Sequence, residues 1–245
     1  MFFQQEWYLN YIRLKKLHQQ YGQGLGKKIL VIGTGCTIVP GLETVTELPS
    51  VVPNDLPGDE SQVGHETAVC SVIQRIAPKA RIYSLDVSGT TLSYHLEGWK
   101  KIIEWYPQYK WDFINCSFNS GNTDEYKEPI KQLTAMGAVV VAATGNDGAS
   151  MPGYPAAWSK DGLVIAIGGC TKDGLRWVSS NDGHDILLPC VDIKCLWKHK
   201  IPKYTYFMGT SIATPIASGM LAVMKRTSMT AQEGKTLLRN WMYNK

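Results

Sequence analysis

Long apolar runs are missing from this 245-residue chain. The longest strongly apolar stretch, residues 138–143, is closed by Thr144-Gly145-Asn146, far short of the roughly 18 residues that a spanning helix needs, so no membrane span is expected. A dominant charge is missing too. The 25 Lys and Arg against 21 Asp and Glu leave only +4, in short clusters such as Lys15-Lys16 and Lys27-Lys28, which reads as a solvated surface and excludes a nucleic-acid footprint. The six cysteines (Cys36, Cys70, Cys116, Cys170, Cys190, Cys195) contain no C-x-x-C pair, and no His stands at ligand spacing from them. They read as mostly small buried residues, with a disulfide as the alternative, and no metal or other cofactor is implied. The first six residues, Met1-Phe2-Phe3-Gln4-Gln5-Glu6, have neither a basic start nor an apolar stretch, so no secretion leader is legible. The chain is therefore expected in the cytoplasm, or outside the cell if it is a processed piece. Repeats, linkers and low-complexity tracts are also absent, which points to one domain over residues 1–245.

What is present is a 44% hydrophobic composition arranged in two textures. From residue 5 to 21 the apolar positions Trp7, Tyr11, Leu14, Leu17 and Tyr21 recur three or four apart, the stripe of an amphipathic helix. Then Lys28-Ile29-Leu30-Val31-Ile32 is a continuous β-branched run, the pattern of a strand buried on both faces of a parallel sheet. The same texture returns at 81–87, 112–116, 138–143 and 163–167, with helical stretches at 65–76, 94–105, 125–136 and 211–225. Strands alternating with helices specify an α/β fold with a doubly wound, mainly parallel central sheet and helices on both faces. Residues 37–64, with four prolines, and residues 179–206 read as irregular excursions.

Three windows stand near the expected strand ends. Gly64-His65-Glu66-Thr67 runs into an apolar helix, and a lone His there is ordinarily a cap or a satisfied surface group. Ala143-Thr144-Gly145-Asn146 ends a buried strand in the common residues of a turn. Gly209-Thr210-Ser211-Ile212-Ala213-Thr214-Pro215 opens a small-residue helix, where a serine either caps the helix or has its own amide and the helix dipole directed at a nearby oxyanion.

Together and in this order, the windows resemble the His, oxyanion-Asn and Ser boxes of the subtilisin-like serine peptidases. Ile102-Ile103-Glu104-Trp105, Phe113-Ile114-Asn115-Cys116-Ser117, Tyr154-Pro155-Ala156 and Val164-Ile165-Ala166-Ile167-Gly168 are similar to further family segments. The resemblance implies that Ser211 is the nucleophile, His65 the general base, and Asn146 an oxyanion donor beside the Ser211 amide. It also implies a peptide or protein partner bound in extended form between a segment containing Gly89 and Thr90 and the segment Ser117-Phe118-Asn119.

One departure bears on the chemistry. The family carries its catalytic Asp in a Val-Ile-Asp-x-Gly motif, whereas this chain reads Val31-Ile32-Gly33-Thr34-Gly35. In subtilisin, loss of that acid alone costs about 3 × 10⁴ in kcat, or about 6 kcal/mol. Asp86 is the preferred substitute, because a charge inside a buried strand calls for a partner; Glu66, Asp55 and Asp59 are the others within reach. Glu66 stands where the family usually has Gly, Ala68 where it has a second His, and Asn119 where the substrate strand has Gly, so the Asn119 side chain is expected to narrow the cleft. The family's calcium loop after the His helix has no counterpart in Ser71-Val72-Ile73-Gln74-Arg75-Ile76. Val-Ile-Gly-Thr-Gly also imitates the start of a dinucleotide fingerprint, but Ile38 stands where the third glycine would fall and Pro40 where a helix is required. Two functions stay open: a degenerate or weakly active serine endopeptidase, or a pseudoenzyme kept as a binding or structural module. Restoring the acid by Gly33→Asp is expected to raise hydrolysis if the rest of the site is intact.

Overall fold

The computed structural model describes residues 6–52, 64–88, 92–198, 203–225 and 228–244. Its centre is strand β1 (Lys28–Gly33), whose Ile29 and Val31 enter one apolar core while Leu30 and Ile32 enter the other. Alternation with hydrophobic residues on both sides is what a strand between two helix layers requires. β1 pairs in parallel with β3 (Arg81–Asp86) on one side and with β4 (Phe113–Cys116) on the other. The sheet continues outward from β3 to β2 (Val45–Glu47), and from β4 through β5 (Val139–Ala143) and β6 (Val164–Cys170) to β7 (Ile186–Pro189). Every neighbouring pair of the seven is parallel.

Helices α3 (His65–Ile76), α6 (Thr210–Met224) and α7 (Ala231–Tyr243) supply side chains to the first core, and α4 (Leu92–Tyr109) and α5 (Asp124–Ala135) to the second. The fold is thus the doubly wound α/β architecture expected. α6 is buried along nearly its whole length, and its small residues permit a close crossing with α3: a Cβ on Gly219 would lie 2.9 Å from Ile76 Cβ. Among the described residues no helix is long and apolar enough to cross a membrane. All six cysteines are buried, and none is joined in a disulfide.

The structure departs from the sequence expectations in three places. The amphipathic stripe from residue 5 to 21 is not one helix but two, α1 (Trp7–Tyr11) and α2 (Leu14–Tyr21), parted at Arg13, which takes a left-handed conformation with φ of 55°; residue 5 lies outside the described residues. The break has a tertiary cause. Trp241 Nε1 donates to the Ile12 carbonyl at 2.8 Å, and the Arg13 guanidinium lies over the Trp241 ring. The two excursions hold short strands: β2 in the first, and in the second β7 and most of an antiparallel hairpin of β8 (Ile193–Leu196) and β9 (Tyr204–Phe207). The hairpin lies against α3, where Leu196 N donates to Ser71 Oγ at 3.0 Å. Finally, α7 follows a full capping box, with Thr230 Oγ1 accepting from Glu233 N and the Glu233 carboxylate accepting from Thr230 N.

The strand order reverses around β1: the chain leaves it for β2 and β3 on one flank and then crosses to β4 on the other. In open α/β sheets a ligand crevice forms at such a switch, outside the carboxyl ends of the strands. Here that position is the end of β1 at Gly33 and the end of β4 at Cys116.

Candidate active site

Ser211 stands in the first turn of α6, half-buried, where helical N–H groups have no intrahelical acceptor and point out of the helix end. Its backbone is fixed by an unusual exchange. Pro215, four residues on, has no N–H to give the Ser211 carbonyl. Ser117 Oγ, just beyond β4, takes over that role and donates to Ser211 O at 2.8 Å. Ser117 Oγ in turn accepts from Asn115 Nδ2 at 2.9 Å, and Asn115 Oδ1 accepts from Ser218 Oγ at 2.9 Å, so a buried polar chain fastens the start of α6 to β4.

Asn146 follows β5 and is exposed, but its carboxamide is oriented. Asn146 Oδ1 accepts from Thr210 N at 2.8 Å and from Thr210 Oγ1 at 3.0 Å, while Thr210 Oγ1 accepts from Gly145 N at 3.1 Å. A backbone N–H can face only the oxygen of an amide, so Nδ2 is turned the other way and remains a donor. A Cβ on Gly209 would lie 3.3 Å from Asn146 Nδ2 and 3.4 Å from Ser211 Oγ, which puts carboxamide and hydroxyl around one point; the +129° φ of Gly209 is open only to glycine. A hydroxyl, a helix-end amide and an oriented carboxamide N–H so grouped can attack a carbonyl and receive the resulting oxyanion.

His65 is the first residue of α3 and is half-buried. Gly64 before it adopts a left-handed turn with φ of 68°, and a Cβ there would come within 3.1 Å of Lys198 Cβ. The next residue, Glu66, is completely buried. Its carboxylate lies against Gly33: a Cβ on Gly33 would collide with Glu66 Oε2 and sit 3.2 Å from Cδ and 3.6 Å from Oε1. Burial first, and then the charge of Glu66, push the Cys116 thiol well above its ordinary range. Glu66 thus lies at the strand ends that the switch point defines, and Ser117, which holds Ser211, is the residue after Cys116. Asp86, the register partner of Gly33, is half-buried, and its Oδ1 accepts from Ser88 N at 2.9 Å and Ser88 Oγ at 2.6 Å. Asp55 and Asp59 lie outside the described residues, as do Gly89 and Thr90 of the expected substrate edge.

On the other edge Ser117 is buried, Phe118 packs its ring against His95, and Asn119 is exposed. The Asn119 carboxamide fills the space above two glycines: a Cβ on Gly153 would lie 2.7 Å from its Oδ1, and one on Gly145 2.7 Å from its Nδ2. A positioning group that sequence reasoning passed over is Asn181, in the second excursion. Its Oδ1 accepts from Asp147 N at 2.9 Å and Ala149 N at 3.0 Å, and its Nδ2 donates to Thr144 O at 3.0 Å, so one buried side chain shapes the loop that carries Asn146. Only the Asn-Asp pair in a turn-rich stretch signals it.

The parallel sheet with its switch point and the serine at a helix start make this a doubly wound α/β protein with a candidate site at its strand ends. More narrowly, residues 55–244 match Peptidase S8, the subtilase family, and the chain belongs to that family. It is 27% identical over 232 residues to the M-protease of Shouchella clausii (strain KSM-K16), covering 90% of this chain and 59% of that protein. The same identity over 232 residues relates it to Subtilisin Savinase of Lederbergia lenta, at 90% and 84% coverage. Against the Minor extracellular protease Epr of Bacillus subtilis (strain 168) it is 27% identical over 235 residues, spanning 35% of that protein. Several of these relatives are therefore much longer than the segment matched here. Among solved structures, a cold adapted subtilisin-like serine proteinase superposes with a TM-score of 0.74 at 22% identity, covering 88% of this chain and 81% of that one.

Proposed function

We propose that residues 1–245 form one peptidase domain that cleaves extended peptides by covalent serine catalysis. Ser211 Oγ attacks the scissile carbonyl carbon as its proton passes to His65, and the oxyanion accepts hydrogen bonds from the Ser211 amide and Asn146 Nδ2. His65 then gives the proton to the leaving amine as the C–N bond breaks, and water releases the acyl group from Ser211 by the same route. The substrate runs as an added strand along Ser117, Phe118 and Asn119.

The observation that supports this reading is the double acceptance at Asn146 Oδ1 from Thr210, which fixes a carboxamide whose Nδ2 stays a donor, with carboxamide and Ser211 Oγ around one point. The acceptance from Thr210 N also satisfies an unpaired N–H at the start of α6, so the same contact that caps the helix orients the carboxamide beside the serine. The second reading, a module that binds a peptide and cuts nothing, is favoured by the absence of an acid on Gly33. A fluorophosphonate probe separates the two. The peptidase reading expects covalent labelling of Ser211 in the wild type and none in Ser211→Ala, and a folded wild type that takes no label overturns it. As for compartment, nothing supports the cytoplasm, and a relative named as an extracellular protease supports the secreted alternative.

A further inference from the structure

We propose that Glu66 is the acid of this site, its carboxylate accepting the Nδ1–H of His65 and so keeping the imidazole in the tautomer whose Nε2 can take the Ser211 proton. The proposal rests on the peptidase reading above and supplies its missing part. Four observations lead to it.

The first concerns Gly33. Its φ lies outside the left-handed region, so the backbone does not ask for glycine there. What forbids a side chain is Glu66, whose Oε2 a Cβ would strike. An acid on β1 would therefore have to displace the Glu66 carboxylate, which fills the volume in front of the Gly33 α-carbon.

The second is burial. Glu66 has no exposed surface. Removing a carboxylate from water is costly unless a cation or directed donors meet it or it takes up a proton, so Glu66 at this place calls for a partner. The third is its place in the chain. Glu66 is in the first turn of α3, where aligned peptide dipoles favour negative charge, and its carboxylate reaches the end of β1 from the same helix start that carries His65. The fourth is the alternative. Asp86 turns its Oδ1 into its own loop, where Ser88 occupies it twice. Glu66 acts through His65 and is thus a positioning residue.

Three variants and one spectrum test this. Glu66→Gln keeps the shape and removes the charge, and is expected to lower kcat/KM about 10⁴-fold, the scale of losing a triad acid. Gly33→Asp with Glu66 retained is expected to lower activity and stability, because two carboxylates then compete for one volume; this reverses the gain expected from the sequence alone. Gly33→Asp combined with Glu66→Gly moves the carboxylate back to β1 and is expected to recover most of the lost activity. An unchanged kcat/KM in Glu66→Gln, a Gly33→Asp single variant that gains activity, or a folded double variant no better than Glu66→Gln overturns the proposal while leaving the labelling of Ser211 intact. The spectrum does not depend on turnover. The wild type is expected to show a far-downfield proton resonance from His65 Nδ1–H, assigned by its loss in His65→Gln and absent from Glu66→Gln. If the wild type lacks it, Glu66 is not the acid. If it is present but no substrate is cut and no label taken, the peptidase reading fails and the Glu66 pairing stands.

Discussion

The start of α6 offers a thermodynamic test of how the candidate nucleophile is held. Pro215 deprives the Ser211 carbonyl of its helical donor, and Ser117 Oγ replaces it at 2.8 Å while accepting from Asn115 Nδ2 at 2.9 Å. Ser117→Ala leaves two groups without partners, the Ser211 carbonyl and the Asn115 amide, in surroundings where Asn115 is 0% exposed. A stranded buried polar group costs about 1–3 kcal/mol, so the variant is expected to lose about 2 kcal/mol or more. Pro215→Ala restores an N–H four residues beyond Ser211. In that background Ser117→Ala strands only the Asn115 amide, and its cost is expected to shrink by about 1 kcal/mol or more. Urea unfolding of the four proteins, with linear extrapolation to water, measures this coupling. Fluorophosphonate labelling rates measured alongside are expected to fall at least about tenfold in Ser117→Ala and to recover partly in the double variant, since an ångström of misplacement at a reacting atom is enough for such losses. Additive stabilities, within about 0.5 kcal/mol, would refute the idea that Ser117 stands in for the missing helical donor.

Other outcomes follow from the same geometry. Asn119→Gly removes the carboxamide from above Gly145 and Gly153 and is expected to shift preference toward bulkier side chains next to the scissile bond, read from a peptide library; an unchanged profile would show that Asn119 does not bound the pocket. Asn181→Ala removes the acceptor of Asp147 N and Ala149 N and one of two donors to Thr144 O, which keeps Gly153 N, and is expected to cost about 1–2 kcal/mol and to lower kcat more than KM, since it frees the loop carrying Asn146. Thr230→Ala breaks the capping box of α7 and is expected to cost about 1 kcal/mol with kcat unchanged, because that helix start serves packing alone. Burial pushes the thiols of Cys170 up to about 11 and Cys190 up to about 12. The unfolded chain gives up these protons from about pH 8.5, so stability is expected to fall as pH rises from there toward 11. Replacing both cysteines with alanine should make that decline shallower, with buried Cys116 and Cys195 still contributing, which urea midpoints at pH 8 and 10.5 will show.

Much of the fold was legible because it is written in local periodicity. The run Lys28-Ile29-Leu30-Val31-Ile32 must be buried on both faces, and the small residues of α6 suit close crossing, whatever surrounds them. Less was legible where contacts distant in sequence decide. β2, β7 and β8 are three or four residues long and exist through their neighbours' backbones, and Trp241 breaks the N-terminal helix from more than two hundred residues away. The candidate site divides along the same line. Ser211 and Asn146 sit in windows whose composition marks them, but the relation of Gly33 to Glu66 is a matter of shared volume between a strand end and a helix start. Asp86 drew attention as a charge in a buried strand, yet it lies at the strand's open end, where Ser88 satisfies it locally.

A crystal structure of the wild type carrying a phosphonate adduct would decide whether these remote stretches make one reaction centre. It should show phosphorus bonded to Ser211 Oγ, with the phosphonyl oxygen within hydrogen-bond reach of both the Ser211 amide and Asn146 Nδ2 and with the His65 ring beside the Oγ atom. An adduct elsewhere, or an oxygen turned away from Asn146 with His65 remote from it, would contradict the account.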